Sequence, residues 1–205
     1  MPKLQLQTIK IAKEVNGHRK IKWDELTYEQ RTEIIGKLAG PRPEIPVDIV
    51  AVPWSSQSIK VLNERYFLKD AEGKVIETVE EMCWRVAWET ARAEVKFGKS
   101  REEVIAIARQ YQEMMLNRWF LPNSPTLMNA GTKVQQLISC FVLNLEDSIE
   151  DMFETLKLAM LIHKSGAGTG YSFSKIRPKN SQVSSSKGKA SGPVSFLRVF
   201  NYATE

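Results

Sequence analysis

The residues best suited to chemistry lie between positions 137 and 174, where a cysteine precedes a glycine-rich segment. Cys140 lies in the middle of Leu137–Leu143, an apolar run with β-branched residues that predicts a strand. Residues 165–170 read Ser-Gly-Ala-Gly-Thr-Gly, and such small residues let a ligand approach the backbone and present N–H groups to anions. A thiol beside this turn suggests redox chemistry on a phosphorylated substrate. Residue type alone also allows Cys140 to be a buried apolar side chain.

The other candidates for chemistry are few. Cys83 lies in an apolar helical pattern, which predicts a core position. The two cysteines form no CxxC pair, and His18 and His163 lie far apart in sequence, so we predict no metal site. His163 falls near the end of a helical pattern, where its protonated form would interact favourably with the helix dipole, and we do not predict it to be a catalyst.

Composition excludes several classes of protein. With 205 residues, of which 42% are hydrophobic, the chain can bury a core as one large domain or two small ones. The formal charge of +5 is spread along the chain, which favours a solvated surface over a DNA-binding face. No apolar run reaches the about 18 residues of a membrane span, and the first residues lack a signal-peptide core. We therefore expect a cytoplasmic protein that contacts neither membrane nor DNA.

Helices are predicted before and after the cysteine. Thr78–Glu81 and Ser100–Glu103 fit capping boxes, so one helix should run to Phe97, before Gly98, and the other should end near Arg118–Phe120. Periodicity and proline or glycine signals give the remaining assignments: helices over 27–38, 58–68, 148–164 and from 193, a proline-stiffened loop over 121–126, a second strand over 171–176, and a flexible cationic loop over 180–191. The last helix reaches Glu205 without a glycine or basic cap, so we expect the native chain to continue.

These segments resemble the start of the large catalytic chain of a ribonucleotide reductase, most closely the adenosylcobalamin-dependent class. The resemblance covers residues 58–205 and rests on five motifs in order: Phe120–Thr132, Ser139–Leu143, Glu146–Ser148, His163–Gly170 and Ser191–Phe196. It implies an α/β fold, with a helical N-terminal region followed by the first strands and helices of a ten-stranded α/β barrel, here incomplete. Residues 1–57 would be an arm of unknown role, 58–120 the helical region and 121–205 the start of the catalytic barrel.

The resemblance also implies a function, the conversion of ribonucleotides to 2′-deoxyribonucleotides by thiyl-radical chemistry. Cys140 would be redox-active, as one of two cysteines that reduce the substrate while forming a disulfide. Four residues would contact the substrate, namely Ser124, Ser139, Ala167 and Gly168. Asp147, Ser148 and Arg177 would belong to an allosteric specificity site, where a deoxynucleoside triphosphate binds at a homodimer interface. Simple helix capping by Asp147 and Ser148 is compatible with that role and stays open.

The same resemblance assigns partners. In the family the radical cysteine and the second reducing cysteine lie downstream of the position of residue 205, so this chain would be inactive without a C-terminal part. Adenosylcobalamin would be the cofactor, with no ligand assignable in this segment, and a thioredoxin-type protein would be the reductant. A reductase with a separate radical-generating subunit is one alternative. Another is a non-catalytic module that binds nucleotide or assembles with a partner chain.

Overall fold

The described part of the chain begins with two paired strands and a capped helix. A computed structural model describes residues 13–15, 18–49, 52–183 and 187–205. Strands β1 (Lys13–Val15) and β2 (His18–Lys20) pair antiparallel. Helix α1 (Tyr28–Ala39) confirms the helix predicted over residues 27–38, and it begins with a capping box in which Thr27 and Gln30 satisfy each other's backbone N–H groups.

Three further helices form the first core. They are α2 (Ser56–Arg65), α3 (Val79–Ala91) and α4 (Arg101–Leu116). Both predicted capping boxes are present, at Thr78 before α3 and at Ser100 before α4. The helical conformation that begins at α3 ends at Phe97 as predicted, although after Ala91 it is a 3-10 helix with Gly98 as its cap. Helix α4 ends earlier than predicted, at Leu116, two residues before Arg118, which has a φ of 59°.

Helix α3 is the centre of this core because most of its residues are buried. Cys83 is fully buried there, which confirms its predicted core position, and burial raises the pKa of its thiol to about 12. The ring centres of Trp84 and Trp88 lie 6.5 Å apart. The Trp84 indole N–H donates a hydrogen bond to the Pro43 carbonyl oxygen at 2.8 Å. That bond attaches the segment around Pro43 to the helices.

A short helix, α5 (Ser124–Asn129), replaces part of the loop predicted over residues 121–126. Asn123 caps its first turn by accepting a hydrogen bond from the Thr126 N–H, and Pro125 fits a position whose N–H needs no partner. Leu127 and Ala130 are buried in the helical core, so α5 packs on the helices that precede it.

The second core surrounds a pair of parallel strands. They are β3 (Cys140–Asn144) and β4 (Gly168–Ser172), joined by α6 (Ile149–Lys164). In register, Cys140 lies opposite Gly168 and Asn144 opposite Ser172. Helix α7 (Pro193–Thr204) packs on α6, and its buried Phe200 contacts the rings of Tyr171 and Phe173 edge to face.

The strand boundaries differ from the prediction in both cases. Cys140 is the first residue of its strand and not the middle one, since the preceding Leu137 packs on the helical core. The glycine-rich segment is a turn only up to Ala167, and Gly168 begins β4 because its backbone pairs with β3. Pairing between strands distant in sequence thus outweighs the low strand preference of glycine.

The order of elements confirms the predicted fold class, a helical region followed by the strands and helices of an α/β unit. In the described ranges β3 and β4 pair only with each other, so their sheet is not closed. No helix in these ranges has the length and apolar character needed to cross a bilayer.

Candidate functional site

The predicted site residues fall into two groups at opposite ends of the β3–β4 pair. The first, here called the thiol cluster, consists of Ser124, Ser139, Cys140, Ala167 and Gly168. It lies where both strands begin. The second, here called the Asp147 cluster, consists of Asp147, Ser148 and Arg177 and lies beyond the ends of the strands. The two strands therefore connect both groups, over five residues or about 17 Å.

Asn123 organises the thiol cluster. Its side-chain amide donates to the Ser139 hydroxyl at 3.1 Å, and that hydroxyl lies 3.5 Å from the Cys140 sulfur. The carbonyl oxygen of Ser139 accepts the Gly168 N–H at 2.8 Å. The thiol itself is exposed, so it is not the buried apolar side chain that its residue type allowed.

The strand face that carries the thiol is open. Its exposed residues alternate along both strands and are Cys140, Val142, Asn144, Gly168, Gly170 and Ser172. A Cβ built on Gly168 would lie 3.7 Å from the Ser139 carbonyl oxygen, which is ordinary contact, and one on Gly170 would be no closer to its neighbours. Within the described chain neither glycine is required by a steric clash. Their missing side chains leave this backbone open to close approach.

The two predicted backbone contacts differ in what they can offer a ligand. Ala167 is buried, whereas Gly168 is exposed. The Gly168 N–H already donates to the Ser139 carbonyl oxygen, so it is not available to an anion as the sequence suggested. Gly168 can still contribute by leaving space above its Cα.

Sequence reasoning missed Tyr66. Its hydroxyl lies 3.0 Å from the Ser124 hydroxyl, although 58 positions separate the two residues. Tyr66 follows helix α2 and no local pattern connects it with Ser124. Asn123, which was also missed, did carry a signal, because an asparagine before Ser-Pro is a strong helix N-cap.

A buried ion pair holds α5 against the helical core. Arg85 is 1% exposed and binds Glu77 through two hydrogen bonds of 2.7 and 2.9 Å. The same guanidinium donates to the carbonyl oxygens of Ala130 and Leu127 at 2.6 and 3.2 Å. These oxygens belong to the end of α5, where helical carbonyls lack partners within the helix. Arg85 therefore fixes the helix that begins with Ser124.

In the Asp147 cluster the Ser148 hydroxyl and the Asp147 carboxylate accept different hydrogen bonds. Ser148 is the N-cap of α6, since its hydroxyl accepts the Asp151 N–H at 3.1 Å. Asp147 is not a cap, which corrects half of the capping interpretation. The Asp147 carboxylate instead accepts a hydrogen bond from Arg177 Nε at 2.5 Å. The Nη2 of Arg177 lies 3.4 Å from the backbone carbonyl oxygen of Asp147. Two residues nearby in sequence, Lys175 and Glu146, form a second ion pair.

All three members of this cluster line one cavity of about 440 Å³. Its walls come from the start of α6, the segment after β4 and the loop before α7, and include Asp147, Ser148, Glu150, Arg177, Val183, Ser191 and Phe196. A guanidinium has five N–H donors, and the contacts to Asp147 use two of them. The cavity therefore joins a carboxylate acceptor, a cation and apolar walls, a combination suited to a nucleotide.

A second cavity, of about 460 Å³, lies beside α5 and is apolar. It is lined by residues of α3, α4 and the segments on both sides of α5, among them Val86, Tyr111, Met115, Pro122 and Leu137. Among the described residues, no three His, Cys, Asp or Glu side chains gather as a metal site requires.

Two family models match successive parts of the chain. Residues 54–135 match the model described as ribonucleotide reductase, all-alpha domain, and residues 138–205 match the ribonucleotide reductase barrel domain. Cys140 lies just inside the second match, and the open β3–β4 sheet is consistent with an incomplete barrel.

Curated relatives agree with these matches. A vitamin B12-dependent ribonucleoside-diphosphate reductase of Thermoplasma acidophilum is 41% identical over 201 aligned positions, which cover 72% of this chain and 26% of that protein. The enzyme of that name from Mycobacterium tuberculosis is 43% identical over 168 positions, covering 81% and 23%. A ribonucleoside-diphosphate reductase large subunit of Arabidopsis thaliana is 39% identical over 143 positions, covering 69% and 16%. The chain spans about a quarter of the length of the first two relatives.

Proposed function

Because the chain belongs to the ribonucleotide reductase large-chain family, we propose that it forms the N-terminal part of an enzyme that converts ribonucleotides to 2′-deoxyribonucleotides. The observation that carries the proposal is the exposed thiol of Cys140, placed beside a hydroxyl and an open glycine backbone at the start of a strand. The remaining part of the reductase would supply the radical cysteine and the second reducing cysteine.

In this proposal Cys140 is a reductant. The C2′–O bond of the ribose breaks, the oxygen leaves as water, and two thiols become a disulfide as they give up two electrons and two protons. A thiol that performs this step must face the substrate and then reach a partner sulfur. The exposed position of Cys140 on the open strand face supports both requirements.

The other members of the thiol cluster would bind the substrate. The hydroxyls of Ser124 and Ser139 are suited to the phosphates and the sugar, and the exposed Gly168 allows close approach to its backbone. Ala167, which is buried in this chain, would belong to the same turn. Two hydrogen bonds support this grouping, from Asn123 to Ser139 and from Gly168 to Ser139, because they hold segments distant in sequence together.

The Asp147 cluster would bind a deoxynucleoside triphosphate effector. The cavity of about 440 Å³ supports this role, with Asp147 accepting from the base or ribose and Arg177 facing the phosphates. A homodimer interface is proposed along α6. Its exposed apolar side chains, which include Ile149, Phe153 and Leu161, support contact with a second chain.

The relatives named vitamin B12-dependent support adenosylcobalamin as the radical source. This cofactor would generate the radical, and we assign no ligand for it among the described residues of this chain. A thioredoxin-type protein would restore the reduced cysteines. We place the enzyme in the cytoplasm, where Cys140 would be kept reduced.

The decisive experiment is reconstitution. This chain is mixed with a polypeptide carrying the remaining part of the reductase, and deoxynucleotide formation is measured with adenosylcobalamin and a dithiol. Each component alone should be inactive and the mixture active. Activity that needs a separate radical-generating subunit would identify the other class of reductase. Nucleotide binding without product under both conditions would favour the non-catalytic module.

A further inference from the structure

The contact between Tyr66 and Ser124 extends the substrate site to a part of the chain outside the thiol cluster. The two hydroxyl oxygens lie 3.0 Å apart, a normal distance for a hydrogen bond between hydroxyls. Ser124 is exposed and Tyr66 is half-buried. The phenol therefore lies behind a serine whose other side is open to a ligand.

The helical core holds Tyr66 in place. Its N–H and that of Phe67 both donate to the Leu62 carbonyl oxygen at 2.9 Å, which ends helix α2. Leu62 and Phe67 are buried on either side, and the Tyr66 ring packs against the same core. The hydroxyl of Tyr66 is thus a fixed point from which a more exposed group can be oriented.

Hydrogen-bond chemistry then sets the direction of the Tyr66–Ser124 contact. A serine hydroxyl has one hydrogen to donate and can accept as well. A phosphate oxygen can only accept, so Ser124 must give its hydrogen to the phosphate. Its oxygen is then available to accept the hydrogen of the Tyr66 phenol. The neighbouring Arg65 guanidinium, 6.0 Å from the centre of the Tyr66 ring, adds positive charge beside this pair.

We propose that Tyr66 is a positioning residue that directs the Ser124 hydroxyl hydrogen toward a phosphate of the nucleotide substrate. The inference rests on the proposed function, since it assumes that Ser124 contacts substrate. It adds a specificity for the phosphorylated form, because an uncharged nucleoside would present no phosphate oxygen to Ser124.

The test uses Tyr66→Phe, Ser124→Ala and the double variant in the reconstituted enzyme, with ADP as substrate. Tyr66→Phe keeps the ring and should leave the melting temperature unchanged. We expect it to raise the KM for ADP about five- to tenfold while kcat changes less than twofold. Binding of adenosine, measured as competition, should be unaffected. Tyr28→Phe removes another tyrosine hydroxyl, on α1, and should change neither constant.

The double variant separates the inference from the proposed function. If Tyr66 acts through Ser124, adding Tyr66→Phe to Ser124→Ala should have no further effect on KM. Additive effects, or a normal KM in Tyr66→Phe beside a raised one in Ser124→Ala, would overturn the positioning role alone. A normal KM in Ser124→Ala would instead remove Ser124 from the substrate site, and the proposed assignment with it.

Discussion

Asp147 and Arg177, thirty residues apart in sequence, form an ion pair with a distance of 2.5 Å between carboxylate Oδ2 and guanidinium Nε. Both side chains are about one-third exposed, and both line the same cavity. An ion pair of this exposure contributes little to stability, about 0–1 kcal/mol. Its position at the wall of a cavity suits it to a second role, as a paired acceptor and donor for a ligand.

The first prediction concerns this pair. Asp147→Asn should leave the melting temperature within a few degrees of the wild type, because Ser148 and not Asp147 caps α6. As an effector contact the carboxylate accepts hydrogen bonds that an amide only partly replaces, so effector affinity should fall roughly tenfold. Calorimetric titration of the reconstituted enzyme with each deoxynucleoside triphosphate measures this. Equal affinities for every effector would remove Asp147 from the effector site.

Cys140→Ser should abolish multiple turnover in the reconstituted enzyme. The thiol is exposed, so its replacement by a hydroxyl should cost almost no stability, while a hydroxyl cannot form the disulfide. Product formed per enzyme with excess dithiol is the measurement. Cys83→Ala is the matched control and should keep turnover, because Cys83 is buried in the helical core. Full dithiol-dependent turnover by Cys140→Ser would exclude the redox role.

The stability of the chain should fall in alkaline solution because of Cys83. Burial raises the pKa of this thiol from 9.0 to about 12. Between these values the folded state holds a proton that the unfolded state has lost, so unfolding becomes easier as the pH rises. Below pH 9 the Cys83 thiol makes its full contribution to the free energy of unfolding. Above pH 9 that free energy falls by at most about 1.4 kcal/mol per pH unit. Urea denaturation of wild type and Cys83→Ala across this range should show a steeper loss in the wild type.

Asn123→Ser separates helix capping from site organisation. Serine is as good an N-cap as asparagine, so the free energy of unfolding should change by less than about 0.5 kcal/mol. The shorter side chain cannot reach the Ser139 hydroxyl, and the KM for ADP should rise several-fold. Asn117→Ser, at the end of α4, is the control and should not change KM. An unchanged KM in Asn123→Ser would mean that its contact with Ser139 does not shape the substrate site.

Arg85→Met should be the most damaging of these substitutions for folding. It leaves the buried Glu77 carboxylate with the Leu68 N–H but no cation, and two carbonyl oxygens at the end of α5 without their Arg85 donor, a loss of about 3–5 kcal/mol. Lys157→Met removes an exposed ion pair with Glu154 and should cost less than about 0.5 kcal/mol. Urea denaturation of both variants measures the difference. Similar midpoints would show that Arg85 does not anchor α5.

Local signals predicted much of the fold. The capping boxes at Thr78 and Ser100 are formed within three residues, and both helices begin where the sequence placed them. The limits of β3 and β4 were missed because strand pairing depends on residues far apart in sequence. Gly168 illustrates this, since its small side chain predicted a turn and its pairing with Cys140 made it a strand residue.

In the candidate site, too, the sequence identified some residues, while contacts between distant segments were visible only in the structure. The resemblance selected residues such as Ser139 and Gly168, and the structure brings these two into direct contact. It could not select Tyr66, whose partner Ser124 is distant in sequence, nor show that Asp147 pairs with Arg177. Contacts between segments distant in sequence depend on the three-dimensional arrangement, so they cannot be predicted from the periodicity of residues along the chain.

The unequal distribution of aromatic residues gives the two cores separate optical signals. All five tryptophans occur at or before position 119, and Trp84 and Trp88 lie in the helical core. The second core has Tyr171, Phe173 and Phe200 as its aromatic cluster. Tryptophan fluorescence therefore reports on the chain up to Trp119 and not on the second core. A tryptophan added in α7 of the otherwise unchanged chain would give the strand region an emission of its own, read as the difference from the wild-type signal, and the two regions could be compared in one stopped-flow instrument.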